Sequence, residues 1–510
     1  ELRGGFNLAP GVFDTSEQFG KFVAGGTIFD NPTNLFRRQG RDTDTYSLSD
    51  NATWVRGRHN AQFGFQWQDV RVRPYDDVDI TPTLWLALGT GQDGLTRTRL
   101  PGIRGKALAV IGVRRGGKTS FLRQCQLDRL ADGRVSESQL LLSLEDERLT
   151  GMTVADLAWL LDEHARQYPG LRESGAVTLY LDEVQIVPGW EGLVRRLVDA
   201  GGVELFVSGS SARLVSREVA TSLRGRAMEV LVFPFSFREA LRHVGAEPSK
   251  GWARLRPAER MALDHRLRRY LVEGGFPEAQ GAEPRDRAAL LAGYVDVVVL
   301  RDVIERHAVT NPLALRWLQR QLLANPGGAF SVKKHYDTLR SQGVAVGKDT
   351  LHEYLAHLED AFLVRTVAMH SASERQRMVN PRKAYPVDPG LIALYERSGR
   401  EHQGRALETA VLLELERRGY EVSYVRTDDG WEVDFLAHRA GEVPLLIQVC
   451  LETSDDATGT REVRSLKAAK VAHRTAHALL VTGDATPPST SLPSGLTWMS
   501  AAQWLLEERT

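Results

Sequence analysis

Between residues 106 and 113 the chain runs apolar, turns through a glycine-rich stretch, and continues over 119–130 with helical spacing. Short apolar runs recur at 140–144, 177–181 and 203–208, with amphipathic spacing at 154–167. Buried-type strands separated by helices predict a parallel sheet covered on both faces. Residues 235–279 read as helical with a break at Gly274-Gly275-Phe276-Pro277, and 288–323 as helical again. Beyond Pro386 a second α/β pattern begins, with a helix over 406–418 and strands near 421–424, 433–437 and 445–449.

Residues 1–103 are patterned differently. Positions 61–68 alternate apolar residues with polar residues or glycine, which predicts a strand with one apolar face. Residues 46–55 form a second strand-like run, and Arg56-Gly57-Arg58-His59-Asn60 between them predicts a turn.

At 510 residues the chain is too long for one core and calls for several domains. A hydrophobic fraction of 42% and a charged fraction of 25% are those of ordinary globular chains. No apolar run reaches the length of about 18 residues that a spanning helix needs. Residues 1–10 lack the basic start and apolar stretch of a secretory leader. Cys125 and Cys450 make neither a disulfide framework nor a metal-ligand spacing, which fits a reducing compartment, so a cytoplasmic location is expected. The 65 basic and 65 acidic side chains cancel, so no whole-molecule field draws the chain to nucleic acid or an anionic membrane.

The sharpest chemistry lies at Gly112-Val113-Arg114-Arg115-Gly116-Gly117-Lys118-Thr119, which satisfies the phosphate-loop pattern between a strand and a helix. Gly112, Gly116 and Gly117 let backbone N–H groups curl around phosphates, and the helix N-terminus, with Ser120 in its first turn, adds positive potential. Lys118 is expected to reach the terminal phosphates and the Thr119 hydroxyl to ligate Mg2+. The apolar run ending in Asp182-Glu183 places two carboxylates at the ligand-binding edge of such a sheet. Asp182 is expected in the Mg2+ shell, and Glu183 as the group that orients or deprotonates the attacking water. Ser210, in the Ser208-Gly209-Ser210-Ser211 stretch, is a candidate phosphate sensor; Arg224 and Arg226 are candidates for neutralising transition-state charge.

These motifs, with Leu181-Asp182-Glu183-Val184-Gln185, Gly274-Gly275-Phe276-Pro277-Glu278 and Glu432-Val433-Asp434-Phe435, resemble those of prokaryotic AAA-type ATPases carrying a conserved C-terminal domain of unknown function. The resemblance implies an α/β multidomain chain that binds ATP and Mg2+ and acts on an unidentified macromolecule. It divides into a parallel-sheet P-loop ATPase core over 104–240, a helical lid over 241–285, a helical and winged-helix domain over 286–385 and a degenerate, restriction-endonuclease-like α/β domain over 386–510. A short antiparallel β segment, 1–103, precedes these. Ser49 through His59, followed by Phe63-Gly64, resembles a strand pair of TonB-dependent outer-membrane receptors, so that segment reads as a fused fragment. An outer-membrane location would apply to it alone, and no membrane contact is expected of 104–510. The rival to an ATPase is a nucleotide-binding scaffold without turnover.

The downstream regions carry weaker chemistry. Leu351, Leu355, Leu358 and Phe362 form an apolar stripe at helical spacing, expected as core. That helix carries Asp349, Glu353, Glu359 and Asp360 without Lys or Arg, the wrong sign for a DNA-recognition helix. Nucleic acid therefore stays a weakly supported partner, through Lys333-Lys334 or Arg375-Gln376-Arg377 with Arg382-Lys383, and a homo-oligomer is left open. In the nuclease-like domain Glu408 and Asp434 fall at metal-ligand places. Gln448-Val449-Cys450 stands where an acid-x-Lys pair is needed, so the cation is expected to be missing and nuclease activity absent.

Overall fold

The computed structural model describes residues 2–8, 11–13, 39–56, 59–76, 83–84, 106–210, 227–371, 373, 380–395, 401–453, 456–488 and 492–507. Its contacts separate two units, Glu1–Pro82 and Thr83–Thr510.

In the first unit β1 (Leu2–Leu8) and β2 (Gly11–Phe13) both pair antiparallel with β3 (Gln39–Arg56), which forms a long hairpin with β4 (His59–Asp76). Arg56 lies opposite His59, so Arg56, His59 and Asn60 of the expected turn belong to the strands, and the expected strands are the turn-side parts of longer ones.

The second unit begins with β5 (Thr83–Leu84), an edge strand upstream of the expected seam at residue 103. The remaining strands of its sheet are β6 (Ala107–Ile111), β7 (Gln139–Ser143), β8 (Val177–Asp182), β9 (Val203–Gly209) and β10 (Ala227–Leu231). The order is β5-β10-β6-β9-β8-β7 and every pairing is parallel, as continuous apolar runs between helices require. β10 was not foreseen; its signal is only five residues with a glutamate in the middle. Helices α1 (Lys118–Ala131), α2 (Val154–Gln167) and α3 (Trp190–Ala200) connect the strands. α2 starts on a capping box between Thr153 and Asp156, and α3 buries Trp190, Leu193, Val194 and Leu197.

Downstream come α4 (Pro257–Glu273) and α5 (Pro284–Val297), then a π-helical segment, Val298–Glu305, that continues α5, and α6 (Pro312–Ala324). The expected continuous helix over 288–323 is therefore interrupted, with Ala308 in the left-handed region (φ 48°) and Pro312 opening the next helix. A small sheet of β11 (Ala329–Phe330), β12 (Val364–Val367) and β13 (Arg382–Pro386) accompanies α7 (Val332–Ser341) and α8 (Lys348–Asp360). Leu351, Leu355 and Leu358 of α8 are core, as expected, while Phe362 lies beyond the helix at φ 55° and is buried there. α8 also starts on Lys348, so the helix carries one cation rather than none, against four acids.

The last part has α9 (Glu401–Arg417), the sheet β14 (Glu421–Arg426), β15 (Glu432–His438), β16 (Leu445–Cys450), β17 (His477–Thr482) and β18 (Leu496–Ser500), and α10 (Asp456–Ala472) between β16 and β17. Pairing is antiparallel from β14 to β16 and parallel from β16 to β18. No helix among the described residues is long and apolar enough to cross a membrane.

One hydrophobic core runs from the parallel sheet (Ala109, Leu181, Val207) through Phe276, Val299 and Val303 to Leu315, Leu351 and Leu358. The sheet and the helices after residue 276 thus share buried surface, and neither side can shift without exposing apolar area.

A second tie holds the Gly274-Gly275 break. The buried Asp388 carboxylate accepts the Gly275 N–H at 2.5 Å and the Gly390 N–H at 2.8 Å. A Cβ on Gly274, which sits at φ 77°, would stand 1.9 Å from Asp388 Oδ1, so only glycine fits. Burial pushes the Asp388 carboxyl up to about 7, because the charged form loses its water. A folded value above the unfolded one means that this group's contribution is complete below about pH 4 and is lost as pH rises through about 7. Melting temperature measured from pH 5 to pH 8 should therefore fall less steeply in Asp388→Asn, which cannot ionise, than in wild type. The variant should be less stable at pH 5, since its amide offers one acceptor to two N–H groups; identical slopes would contradict the assignment.

Candidate functional site

β6 delivers the chain to the sheet edge at Ile111, and α1 leaves from Lys118, so residues 112–117 form a tight loop between a buried strand and a helix N-terminus. Gly117 caps α1 at φ 106°, and a Cβ built on it meets nothing within 4 Å, so the loop opens onto free space at that point. α1 is anchored by Phe121, Leu122 and Cys125, which are buried against the sheet. Lys118 is only 4% exposed; its ammonium donates to the Gly112 and Val113 carbonyls, both at 3.2 Å, and lies 3.6 Å from Glu183 Oε1. Burial, ahead of the opposing attraction of Glu183, lowers its pKa from the ordinary lysine value.

β9 lies between β6 and β8 and joins the strand that leads into the phosphate loop to the strand that ends in Asp182. The Ser208 hydroxyl donates to Asp182 Oδ1 and accepts the Glu183 N–H at 3.0 Å. The other Asp182 oxygen accepts the Thr119 hydroxyl at 2.7 Å. Glu183 sits at φ 53°, a strained conformation of the kind that concentrates at functional sites, and its carboxylate also takes the Gln185 amide. The structure thus brings together Gly112, Gly116, Gly117, Lys118, Thr119, Asp182 and Glu183. Ser120 is exposed on the first turn of α1. Ser210 is buried and donates to Asp302 Oδ1 at 2.9 Å. Ser211, Arg224 and Arg226 lie outside the described residues, as do Arg375-Gln376-Arg377.

Two loop arginines that the motif treats as arbitrary are engaged from far along the chain. Arg114 pairs with Asp302 of the π-helical segment and with Glu145; Arg115, at φ 65°, pairs with Glu278, which also takes the Tyr294 hydroxyl. In the sequence Asp302 stands beside Arg301 at the end of the apolar run 297–300, and nothing there names Arg114 as its partner.

The fit to a nucleotide with Mg2+ follows from the donor set. The loop offers backbone N–H groups beside an open space and a buried ammonium, and Thr119 and Asp182 supply adjacent hard oxygens of the kind Mg2+ prefers.

The second cluster lies in the C-terminal sheet. Lys383, on β13 and buried, places its ammonium 2.8 Å from Glu432, 3.2 Å from Asp434 and 3.5 Å from Glu408. Gln448 Nε2 donates to Asp434 Oδ2 at 2.9 Å and to Glu462 Oε2 at 2.8 Å, while the Tyr385 hydroxyl donates to Glu408 at 2.6 Å. The expectation that this cluster lacks a cation is corrected: position 450 supplies none, but Lys383 does, from a strand that the sequence assigns to the preceding domain. Burial first, and then the Asp434 charge, raise the Glu408 carboxyl above its ordinary range.

Elsewhere, His307, His357 and Asp360 bring ligand atoms within 4.8 Å of one another. The two imidazoles stack at 3.8 Å with planes 4° apart, so their in-plane lone pairs do not converge on a common point.

A model of an AAA domain matches residues 104–241, and a model of a domain of unknown function matches residues 264–400. An uncharacterized protein of Methanocaldococcus jannaschii is 32% identical over 371 residues, which cover 72% of this chain and 78% of that protein. An uncharacterized protein of Haemophilus influenzae is 30% identical over 360 residues, covering 70% and 86% respectively. Among solved structures, a Walker-type ATPase of Pyrococcus abyssi aligns over 57% of this chain and 91% of its own at 16% identity, with a TM-score of 0.38, a loose likeness. The chain belongs to the family of these two relatives, with an AAA domain of the P-loop ATPase class followed by a domain of unknown function.

Proposed function

We propose that the chain binds ATP with Mg2+ and hydrolyses it, using turnover to act on a macromolecular partner. The observation that carries this reading is the hydrogen-bonded set Thr119–Asp182–Ser208–Glu183 closed onto the buried Lys118. The bound metal would neutralise phosphate charge and polarise the terminal phosphoryl group. The loop N–H groups bind the phosphates, and Lys118 exchanges Glu183 for a phosphate oxygen. Thr119 and Asp182 would supply oxygens to hold the metal. Glu183, released from Lys118, orients the attacking water and accepts its proton, while Gln185 keeps the carboxylate from swinging away.

The segments after residue 286 support a winged-helix reading, with α6, α7 and α8 against the small three-stranded sheet. The last part supports a degenerate restriction-endonuclease-like reading, with a helix, three antiparallel strands, a helix and two further strands. We propose that it does not cleave phosphodiesters: the Lys383 ammonium already pairs with Glu408, Glu432 and Asp434, and Gln448 ties Asp434 to Glu462.

In nucleotide-binding titrations Lys118→Ala should weaken ATP binding. Glu183→Gln should keep ATP affinity and lower kcat by on the order of 10²–10⁴-fold, the usual worth of a positioned general base. Equal affinity in wild type and Lys118→Ala would sink the site; intact binding with no phosphate release from wild type would favour the scaffold.

For the C-terminal cluster, Lys383→Met should destabilise the fold by about 3–5 kcal/mol in denaturant unfolding, because it strands buried carboxylates without a counter-charge. DNA incubated with the protein and Mg2+ or Mn2+ should stay intact. Cleavage that disappears in Asp434→Ala would show that the cluster is catalytic.

A further inference from the structure

The third residue of the phosphate loop, Arg114, is held in a way that a surface arginine is not. Its Nε and Nη2 donate to the two Asp302 oxygens at 3.1 and 3.3 Å, a two-point grip on one edge of the guanidinium. Its remaining terminal nitrogen, Nη1, points the other way and donates to Glu145 Oε1 at 2.9 Å. The two acids differ sharply in setting. The Asp302 side chain is 1% exposed and the Glu145 side chain 51% exposed. Asp302 is itself fixed, accepting the Ser210 hydroxyl at 2.9 Å and Arg306 Nη2 at 3.2 Å, on a π-helical turn whose neighbours Val299 and Val303 are core. π-helical turns interrupt α-helices mostly where a side chain must be aimed.

We infer that Arg114 is a phosphate-binding residue of the nucleotide site and that Asp302, from the domain downstream, is the positioning residue that aims it. This rests on the nucleotide-site reading given above. A half-exposed carboxylate on Nη1 contributes little binding and exchanges readily for another anion, whereas the buried grip of Asp302 stays. Arg114 also shares its electrostatic environment with the catalytic groups. The Glu183 charge helps to stabilise its guanidinium, and its own charge helps to depress the Lys118 ammonium. Glu145 lies two residues past Ser143, which pairs with Asp182 in the sheet, so Nη1 is aimed at the strand end that carries Asp182 and Glu183, where water would attack, and the oxygens it takes are assigned to the γ-phosphate. The Glu145 carboxylate stands in for those oxygens. Ser210 donates to the same Asp302 oxygen as Arg306, so its hydroxyl helps to fix this grip.

The test compares the affinities of the full-length protein for ATP and ADP, each with Mg2+, together with KM and kcat. Wild type should favour ATP; Arg114→Ala should lose roughly 10–100-fold in ATP affinity, the worth of one or two charge-assisted hydrogen bonds, and change little toward ADP. Arg114→Lys, which keeps the charge without the fork, should recover only part. Asp302→Asn should raise KM for ATP in the same direction and have no further effect on the ATP-to-ADP ratio once Arg114 is already Ala. Asp302→Glu serves where Asn disturbs folding. Unchanged ATP-to-ADP ratios in folded Arg114→Ala would overturn the inference while leaving the nucleotide site intact. A melting temperature lowered in Asp302→Asn with an unaltered ratio would mark the pair as a structural bridge and overturn it too. Wild type that binds neither nucleotide would remove the nucleotide-site reading itself, and this inference with it.

Discussion

A lysine ammonium held almost wholly out of water is the constraint around which the nucleotide site is arranged. Lys118 follows a glycine with left-handed backbone, and its Nζ is folded back onto the Gly112 and Val113 carbonyls. Burying that charge costs free energy that two carbonyl dipoles do not recover, and a carboxylate must stand close by. Glu183 fills that need at the end of β8. Its own position is then fixed by Ser208, whose hydroxyl also holds Asp182, and Asp182 in turn takes the Thr119 hydroxyl. Three strands in the order β6-β9-β8 are needed to bring these groups together, which is why the parallel sheet and the site cannot be separated. On the proposed mechanism, a phosphate chain takes the place of Glu183 on the same ammonium and frees the carboxylate for chemistry.

The arrangement extends beyond the AAA domain. Arg114 and Arg115 reach acids that lie on helices after residue 276, and the sheet shares its hydrophobic core with those helices. Asp388 clamps the glycine break at 274–275 to the turn that precedes α9. The phosphate loop is therefore tied to the region matched by the domain of unknown function by ion pairs and a shared hydrophobic core.

What the sequence reveals is what is local. The phosphate loop, the Asp182-Glu183 strand end and the alternation of strands and helices are each written within a few residues, because loop geometry and strand burial demand particular residue types in particular spacing. The core stripe of α8 is legible for the same reason. Asp302 is not, because its meaning comes from Arg114, 188 residues away. Lys383 is hidden twice over: it sits in one domain by sequence pattern and delivers its charge to another, and its place by strand order, beside β11 and β12, gives no hint of Glu408 and Asp434. The interruption between α5 and α6 is hidden in the sequence because apolar spacing persists through the π-helical turn, where hydrogen bonding changes but hydrophobicity does not. Within segment 1–103, Thr83–Leu84 pairs with β10 of the parallel sheet; two residues carry too little pattern to announce a strand.

On the proposed mechanism, phosphate and Glu183 compete for one buried ammonium. A crystal structure with Mg2+ and a non-hydrolysable ATP analogue would show which of them holds it. The expected result is terminal phosphates on the 112–119 loop, Lys118 Nζ moved from Glu183 to a phosphate oxygen, and the metal ion beside Thr119 and Asp182. A nucleotide bound elsewhere, or bound at the loop with the Lys118–Glu183 pair still closed, would contradict it.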